Sequence, residues 1–241
     1  MKLSETTNHD SAYLILLCLV FQSMCGGSTL AVAGGTGETA MAAAPGSSAE
    51  FVIAREGEQA PSSPVLTNRP ANWAQPLSVA GVPNLYKVGE GIYRSAQPTA
   101  DGIKNLKAMG IKTIINLRMF HTDHDEIGKT AVQQEDVNMT AWHPEQADAV
   151  QFLKMVADPS HLPALFHCQH GSDRTGTMCA VYRIAVQGWT KEAAIQEMVQ
   201  GGYGFHSIWS NLPKWIDGLD IEKLRAEAGI RAPQTRSVMN R

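Results

Sequence analysis

The 241-residue sequence predicts an α/β domain: a mainly parallel central sheet of 4–5 strands with helices on both faces. Three observations predict it. Strand-like runs alternate with runs of helical periodicity between residues 85 and 229. Ile111–Leu117 has Ile114 and Ile115 at its centre and the apolar character of a strand covered on both sides. Leu162–Phe166 leads through the tight polar loop His167–Gly176 directly into a helix-compatible run, Thr177–Gln187. Strand, tight loop and helix in that order build an anion cradle, because loop N–H groups and the first helical turn converge on one point.

Taken in order, the chain opens with an apolar stretch, Tyr13–Phe21, of the length of a signal-peptide core and too short to span a bilayer. Ala31-Val32-Ala33 is a small-x-small cleavage pattern, so residues 1–33 read as a signal peptide and the mature chain starts at Gly34. Lys2 is the only basic residue before the core, opposed by Glu5 and Asp10, which leaves an uncleaved, membrane-tethering N-terminus as the alternative. The expected location is outside the cytoplasm, periplasmic or extracellular, with no stable membrane insertion after cleavage. Residues 34–80 are rich in Gly, Ala, Ser and Pro and read as a flexible linker.

The folded domain is expected over 81–229, its first elements starting near Asn84. Leu85–Val88 and Ile92–Ser95, separated by Gly89-Glu90-Gly91, form a hairpin pattern. Thr99 caps a helix that carries Ile103, Leu106 and Met109 on one face and stops at Gly110. After the strand Ile111–Leu117 comes a polar loop, Arg118–Glu126. A helix over Ile127–Gln134, a strand over Val137–Trp142 and a helix over Gln146–Ala157 follow. Beyond the loop, Thr190 caps a helix that ends at Gly201-Gly202, and helices over Ile208–Gly218 and Ile221–Gly229 cover the sheet. Residues 230–241 form a basic, disordered tail.

Composition excludes more than it assigns. A net charge of −3 gives no basis for nucleic-acid binding. With Cys18 and Cys25 in the signal, the mature chain keeps only Cys168 and Cys179, so there is no disulfide framework. Cys179, on the helix after the loop, is either a small buried apolar residue or a thiol that resolves oxidised Cys168.

The chemistry concentrates in His167-Cys168-Gln169-His170-Gly171-Ser172-Asp173-Arg174-Thr175-Gly176. A cysteine at the start of such a cradle is held as thiolate, the nucleophilic form. An arginine six residues later can fold back and grip two phosphate oxygens with its planar fork. Gln169, His170, Gly171, Ser172, Asp173 and Arg174 are the phosphate-binding candidates; His167 supports the loop from behind. No metal or other cofactor is required, and no convincing metal constellation stands out.

His167-Cys168, Gly171 and Arg174-Thr175-Gly176 form a signature. By it the chain resembles the cysteine-based protein tyrosine phosphatases. From Leu85 to Ile216 it is similar to their compact dual-specificity type, most of all to exported, periplasmic tyrosine phosphatases of bacteria. Tyr93–Pro98, Tyr182–Trp189, Glu197-Met198 and Gly201–Gly204 add to the likeness. The resemblance implies a phosphoric monoester hydrolase of the dual-specificity phosphatase fold. Cys168 would attack phosphorus, Arg174 would grip the equatorial oxygens, and Thr175 would donate to the sulfur as it leaves.

The general acid implied is a carboxylate upstream of the cysteine. Glu145 is favoured over Asp148, which lies in a first helical turn, with Asp123, Asp125 and Glu126 as outside candidates. The expected partner is a phosphorylated protein or a small phosphomonoester. The loop has no lysine, and Asp173 would repel a second phosphate, so a single-phosphate ester such as phosphotyrosine is favoured. Tyr203, Phe205, His206 and Trp209 could rim its ring or could simply pack in the core. Alternatives are a lipid, sugar or inositol phosphatase, a non-catalytic phosphotyrosine-binding module, and the sulfur or arsenic chemistry of other Cys-x5-Arg proteins.

Overall fold

The computed structural model describes residues 69–232; the signal-peptide and most of the linker and tail expectations fall outside the described residues. Six strands form one sheet in the order β1-β2-β3-β6-β4-β5. They are β1 (Gln75–Pro76), β2 (Tyr86–Gly89), β3 (Ile92–Ser95), β4 (Thr113–Asn116), β5 (Gln133–Asp136) and β6 (Ala164–His167). β1, β2 and β3 pair antiparallel, and β3, β6, β4 and β5 run parallel. The expected 4–5 strands become six because of β1, a two-residue edge strand whose residues are exposed.

Alternation along the strands makes two cores. Ile114 of β4 and Leu165 of β6 face Ile103 and Leu106 of α1 (Ala100–Ala108). Ile115 and Phe166 point to the opposite side, where Phe152 and Leu153 of α3 (Gln146–Ala157) and most of α4 (Asp173–Ala185) pack. Phe152 and Phe166 meet edge to face at 5.0 Å. α4 is buried on nearly every side from Thr175 to Ala185, as a helix must be when sheet lies on one flank and other helices on the rest. Those neighbours are α5 (Lys191–Gln200), α6 (Asn211–Asp217) and α7 (Ile221–Ala228).

Caps were legible in the sequence. Thr99 Oγ1 accepts from Gly102 N at 3.1 Å to start α1, and Thr190 Oγ1 accepts from Ala193 N at 3.2 Å to start α5. Three local expectations are corrected. The strand expected over Val137–Trp142 lies earlier, over Gln133–Asp136. This outer strand is polar and half exposed, which an edge tolerates, whereas Val137 and Met139 are buried just beyond it. Apolar residues thus reported core burial more than strand membership, although Val137 N–H still donates to Asn116 O of β4 at 2.8 Å. The helix expected over Ile127–Gln134 is one turn, α2 (His124–Ile127), ended by Gly128 at φ +50°. The helix expected from Thr177 begins four residues sooner, inside the signature loop itself.

The linker boundary also moves. Residues 69–80, placed in the linker by composition, pack as part of the domain. Ala74 is fully buried, and its N–H donates to Glu197 Oε1 at 2.6 Å. Arg69 donates to Ala74 O, Gly201 O and the Tyr203 hydroxyl. Glu197 in turn holds Arg183 through two bonds, 2.7 and 2.9 Å, with both side chains almost wholly buried. Burial alone would push the Glu197 carboxyl up, but the Arg183 hydrogen bonds and charge hold it below its ordinary value.

Replacing Glu197 with Gln leaves Arg183 buried without its counter-charge and should cost about 3–5 kcal/mol in denaturant unfolding. The wild-type pair contributes fully above the unfolded carboxylate value of 4.5 and loses its contribution as pH falls through the depressed folded value. Wild-type stability should therefore drop more steeply on acidification than that of Glu197→Gln, which has no carboxylate to protonate.

Candidate active site

The parallel strands end together. Ser95 of β3, His167 of β6 and Asn116 of β4 stand in one register row at their carboxyl ends, the edge of an open α/β sheet where ligands sit. From that row β6 runs into Cys168, and six residues later Arg174 lies in the first turn of α4. Cys168 is buried, and Arg174 is half-buried.

The backbone between them is forced into a tight arc. Gly171 adopts φ +70°, and a β-carbon there would lie 2.5 Å from Ala96 N and 2.6 Å from Ser95 C. Only glycine permits both the left-handed turn and that approach. Among the described residues, no backbone N–H from Gln169 to Arg174 donates to a protein acceptor. These donors, at the start of a helix, are thus left without a protein acceptor, as in loops that bind an oxyanion.

A chain of side chains supports the loop from the β4 side. His167, wholly buried, donates from Nε2 to Asp123 Oδ2 at 2.6 Å; the carboxylate can only accept. Asp123 Oδ1 accepts from Gln97 Nε2 at 2.7 Å, and Gln97 Oε1 accepts from Arg118 Nη1 at 2.7 Å. Burial would push the Asp123 carboxyl up, but hydrogen bonds from His167 and Gln97 and the nearby imidazole charges hold it below the usual range. Arg118 is shifted below the ordinary arginine value by burial and then by the like charge of Arg174. The Arg118 guanidinium, held by Gln97, thus feels the charge of Arg174.

The expected residues are brought together unequally. Asp123 is removed as a proton donor: it is fully buried and spends both oxygens on His167 and Gln97. Asp125 is exposed on α2, and Glu126 lies 4.0 Å from His121. Glu145 caps α3 from an exposed position, and its N–H donates to Asp148 Oδ2 at 3.1 Å. Burial pushes the Asp148 carboxyl up, partly offset by that N–H. Thr175 Oγ1 is buried without a partner among the described residues, so its expected bond to sulfur is not made in this structure. Cys179 is buried, and burial pushes its thiol up.

Asp173 does not face the loop mouth as a bare charge. It is buried, its Oδ1 accepts His206 N at 3.0 Å, and its Oδ2 lies 2.8 Å from His206 Nδ1. The repulsion expected against a second phosphate is weakened accordingly. Tyr203 is core rather than rim: its ring is buried and covers Arg94. Phe205 and Trp209 also pack on the core. Phe120, Trp142 and Ile208 are the most exposed large apolar side chains among the described residues. Two sets of potential metal ligands lie close, His170, Asp173 and His206, and His121, Asp123 and Glu126. In each the carboxylate already pairs with a histidine.

Comparisons with known proteins place this geometry. Residues 84–208 match the family described as "DSP-PTPase phosphatase fused to NAD+ Kinase". The dual specificity protein phosphatase TpbA of Pseudomonas aeruginosa is 35% identical over 162 residues, covering 66% of this chain and 72% of that protein. A crystal structure of TpbA, as a cysteine-to-serine variant in complex with phosphotyrosine, has a TM-score of 0.60 at 31% identity. It covers 67% of this chain and 99% of that one. Inositol diphosphatase DSP3 of Arabidopsis thaliana is 28% identical over 153 residues, covering 59% and 72%.

Gly171→Ala should abolish the arc. Inorganic phosphate binding should weaken by about 100-fold or more, read by calorimetry, because backbone atoms of β3 and its following loop cannot yield to a β-carbon.

Proposed function

The chain belongs to the dual-specificity-type cysteine phosphatases, which are phosphoric monoester hydrolases, and on that footing we propose that it hydrolyses phosphotyrosine through a phosphocysteine on Cys168. The observation that carries this reading is a buried cysteine followed by a loop in which no N–H from Gln169 to Arg174 has a protein acceptor among the described residues, with Arg174 in the first turn of the helix. The thiolate of Cys168 attacks phosphorus in line, and an S–P bond forms as the ester P–O bond breaks. The loop N–H groups and Arg174 hold the three equatorial oxygens, where transition-state charge lies. A carboxylic acid protonates the departing phenolic oxygen. Water then attacks phosphorus, its proton passing to the same carboxylate; the P–S bond breaks, releasing phosphate and regenerating the thiolate. Thr175 can donate to sulfur in that second step.

The proton donor in this reading comes from the Glu145–Asp148 pair at the start of α3. Burial favours the acid form of Asp148 to higher pH, as a general acid needs, while Glu145 is exposed. His167 and Asp123 fix the base of the loop and do not touch substrate.

A diphosphate-bearing small molecule is the second reading. The influence of Arg174's charge on Arg118 and the tethering of Asp173 by His206 favour it, and DSP3 is by name an inositol diphosphatase. Export with cleavage after Ala33 is part of the proposal, supported by the Tyr13–Phe21 core and the Ala31-x-Ala33 pattern; Gly34 as the first residue of the secreted chain is its test.

The full chain should hydrolyse para-nitrophenyl phosphate and a phosphotyrosyl peptide, and vanadate should stop it. Cys168→Ser should reduce turnover by at least about 1,000-fold; equal turnover by wild type and variant would reject the phosphocysteine. Asp148→Asn should slow esters with poor leaving groups by about 100-fold while sparing activated aryl phosphates, and Glu145→Gln should leave both rates near wild type. An unchanged rate on the peptide would move the acid to Glu145. A diphosphate preferred over the peptide in kcat/KM would select the second reading.

A further inference from the structure

Three consecutive carbonyls of the signature loop are held from outside by groups the proposed chemistry does not use. Gln169 O accepts from Gln97 N at 3.3 Å, His170 O from Asn84 Nδ2 at 2.9 Å, and Gly171 O from Arg94 Nη2 at 2.7 Å. A peptide unit is planar and trans, so a C=O and the N–H that follows it point in opposite directions. Pinning these three oxygens outward turns the N–H groups of His170, Gly171 and Ser172 the other way, into the cradle.

Arg94 carries the argument furthest. It stands on β3 beside β6, with no exposed surface, and makes no ion pair with a carboxylate among the described residues. Its Nε and Nη1 have no hydrogen-bond partner there. Its Cζ lies 3.7 Å from the centroid of the Tyr203 ring. Burying an unpaired guanidinium is costly, and a fold retains one where something offsets the cost. The Tyr203 face and the Gly171 carbonyl offset part of it. An anion in the cradle would supply the missing opposite charge beyond the loop.

Asn84 is the matching clamp on the outer side. It holds φ +54°, a left-handed conformation that asparagine tolerates better than most residues. Its amide nitrogen donates twice, to His170 O and to Tyr203 O at 3.0 Å. The two clamps therefore meet at Tyr203, whose backbone is held by Asn84 and whose ring covers Arg94.

We propose that Asn84 and Arg94 are positioning residues that aim the N–H groups of Gly171 and Ser172 at the phosphate. The proposal rests on the reading of the loop as a phosphate cradle. Inorganic phosphate affinity, measured by calorimetry on the full chain, tests it without requiring turnover. Arg94→Met and Asn84→Asp should each weaken phosphate binding and raise KM for an aryl phosphate by at least about tenfold. Arg94→Lys, which keeps a donor and the charge, should recover most of the loss. Leu224→Ala, in α7, serves as the control for lost stability. A purely structural role would lower the amount of active enzyme while leaving KM and phosphate affinity at wild-type values, as expected of Leu224→Ala, and that result overturns the proposal. If Arg94→Met does not fold, Asn84→Asp and Arg94→Lys decide: unchanged affinity in Asn84→Asp rejects the clamp. Phosphate binding without hydrolysis by wild type would sink the proposed reaction and leave the positioning test standing.

Discussion

Six backbone N–H groups with no acceptor among the described residues, gathered at one end of a buried helix, are the constraint on which the rest of the structure depends. For the buried members, Gly171, Ser172 and Asp173, an unpaired amide costs about 1–3 kcal/mol, and folded chains avoid leaving one. Here the peptides are held from every other direction instead. β3 and β4 flank β6 in register to its last residue. Gly171 lets the arc press against the chain leaving β3. α4 begins within the arc and is buried along its length, so its N-terminus cannot shift to satisfy the donors.

Around this arc the domain spends charged side chains in its interior, each with a partner that fixes its direction. On the β4 side, His167, Asp123, Gln97 and Arg118 form a continuous chain from the cysteine's neighbour to the site mouth. On the α4 face, Arg183, Glu197, Tyr203 and Arg69 tie the first described residues to the helices behind the loop. Tyr203 joins this second chain to Arg94 and so to the loop itself. The segment at 69–74 therefore reaches the cradle through two intermediate residues, Tyr203 and Arg94, although nothing in its composition marks it as part of the domain.

The same arrangement bears on substrate. The residues between Cys168 and Arg174 carry no lysine, which taken alone favours a ligand with one phosphate. Charge at the mouth depends on more than the loop. Arg118 arrives from the end of β4, and Asp173 turns away to bond His206. The charge of the site is therefore set by residues outside the loop as well as by the loop's own sequence.

The signature loop, the α/β alternation, both threonine caps and the family could be determined from the sequence alone. Each rests on residues close together in the chain: a turn that needs glycine, a helix start that needs a hydroxyl, a strand that is apolar throughout. What only the tertiary structure decided was which distant residues face one another. Asp123 looked like one more carboxylate in a polar loop, yet it is the fixed partner of His167. Val137 and Met139 looked like strand, yet they pack beyond an edge strand made of Gln, Glu and Asp. Arg94, part of a recognised stretch but without a role in it, pins the loop from behind. In all three the deciding quantity is burial against a particular neighbour. Burial sets whether a charge must be paired and whether an apolar residue signals pairing or packing, and neither can be known until the sheet has brought the elements together.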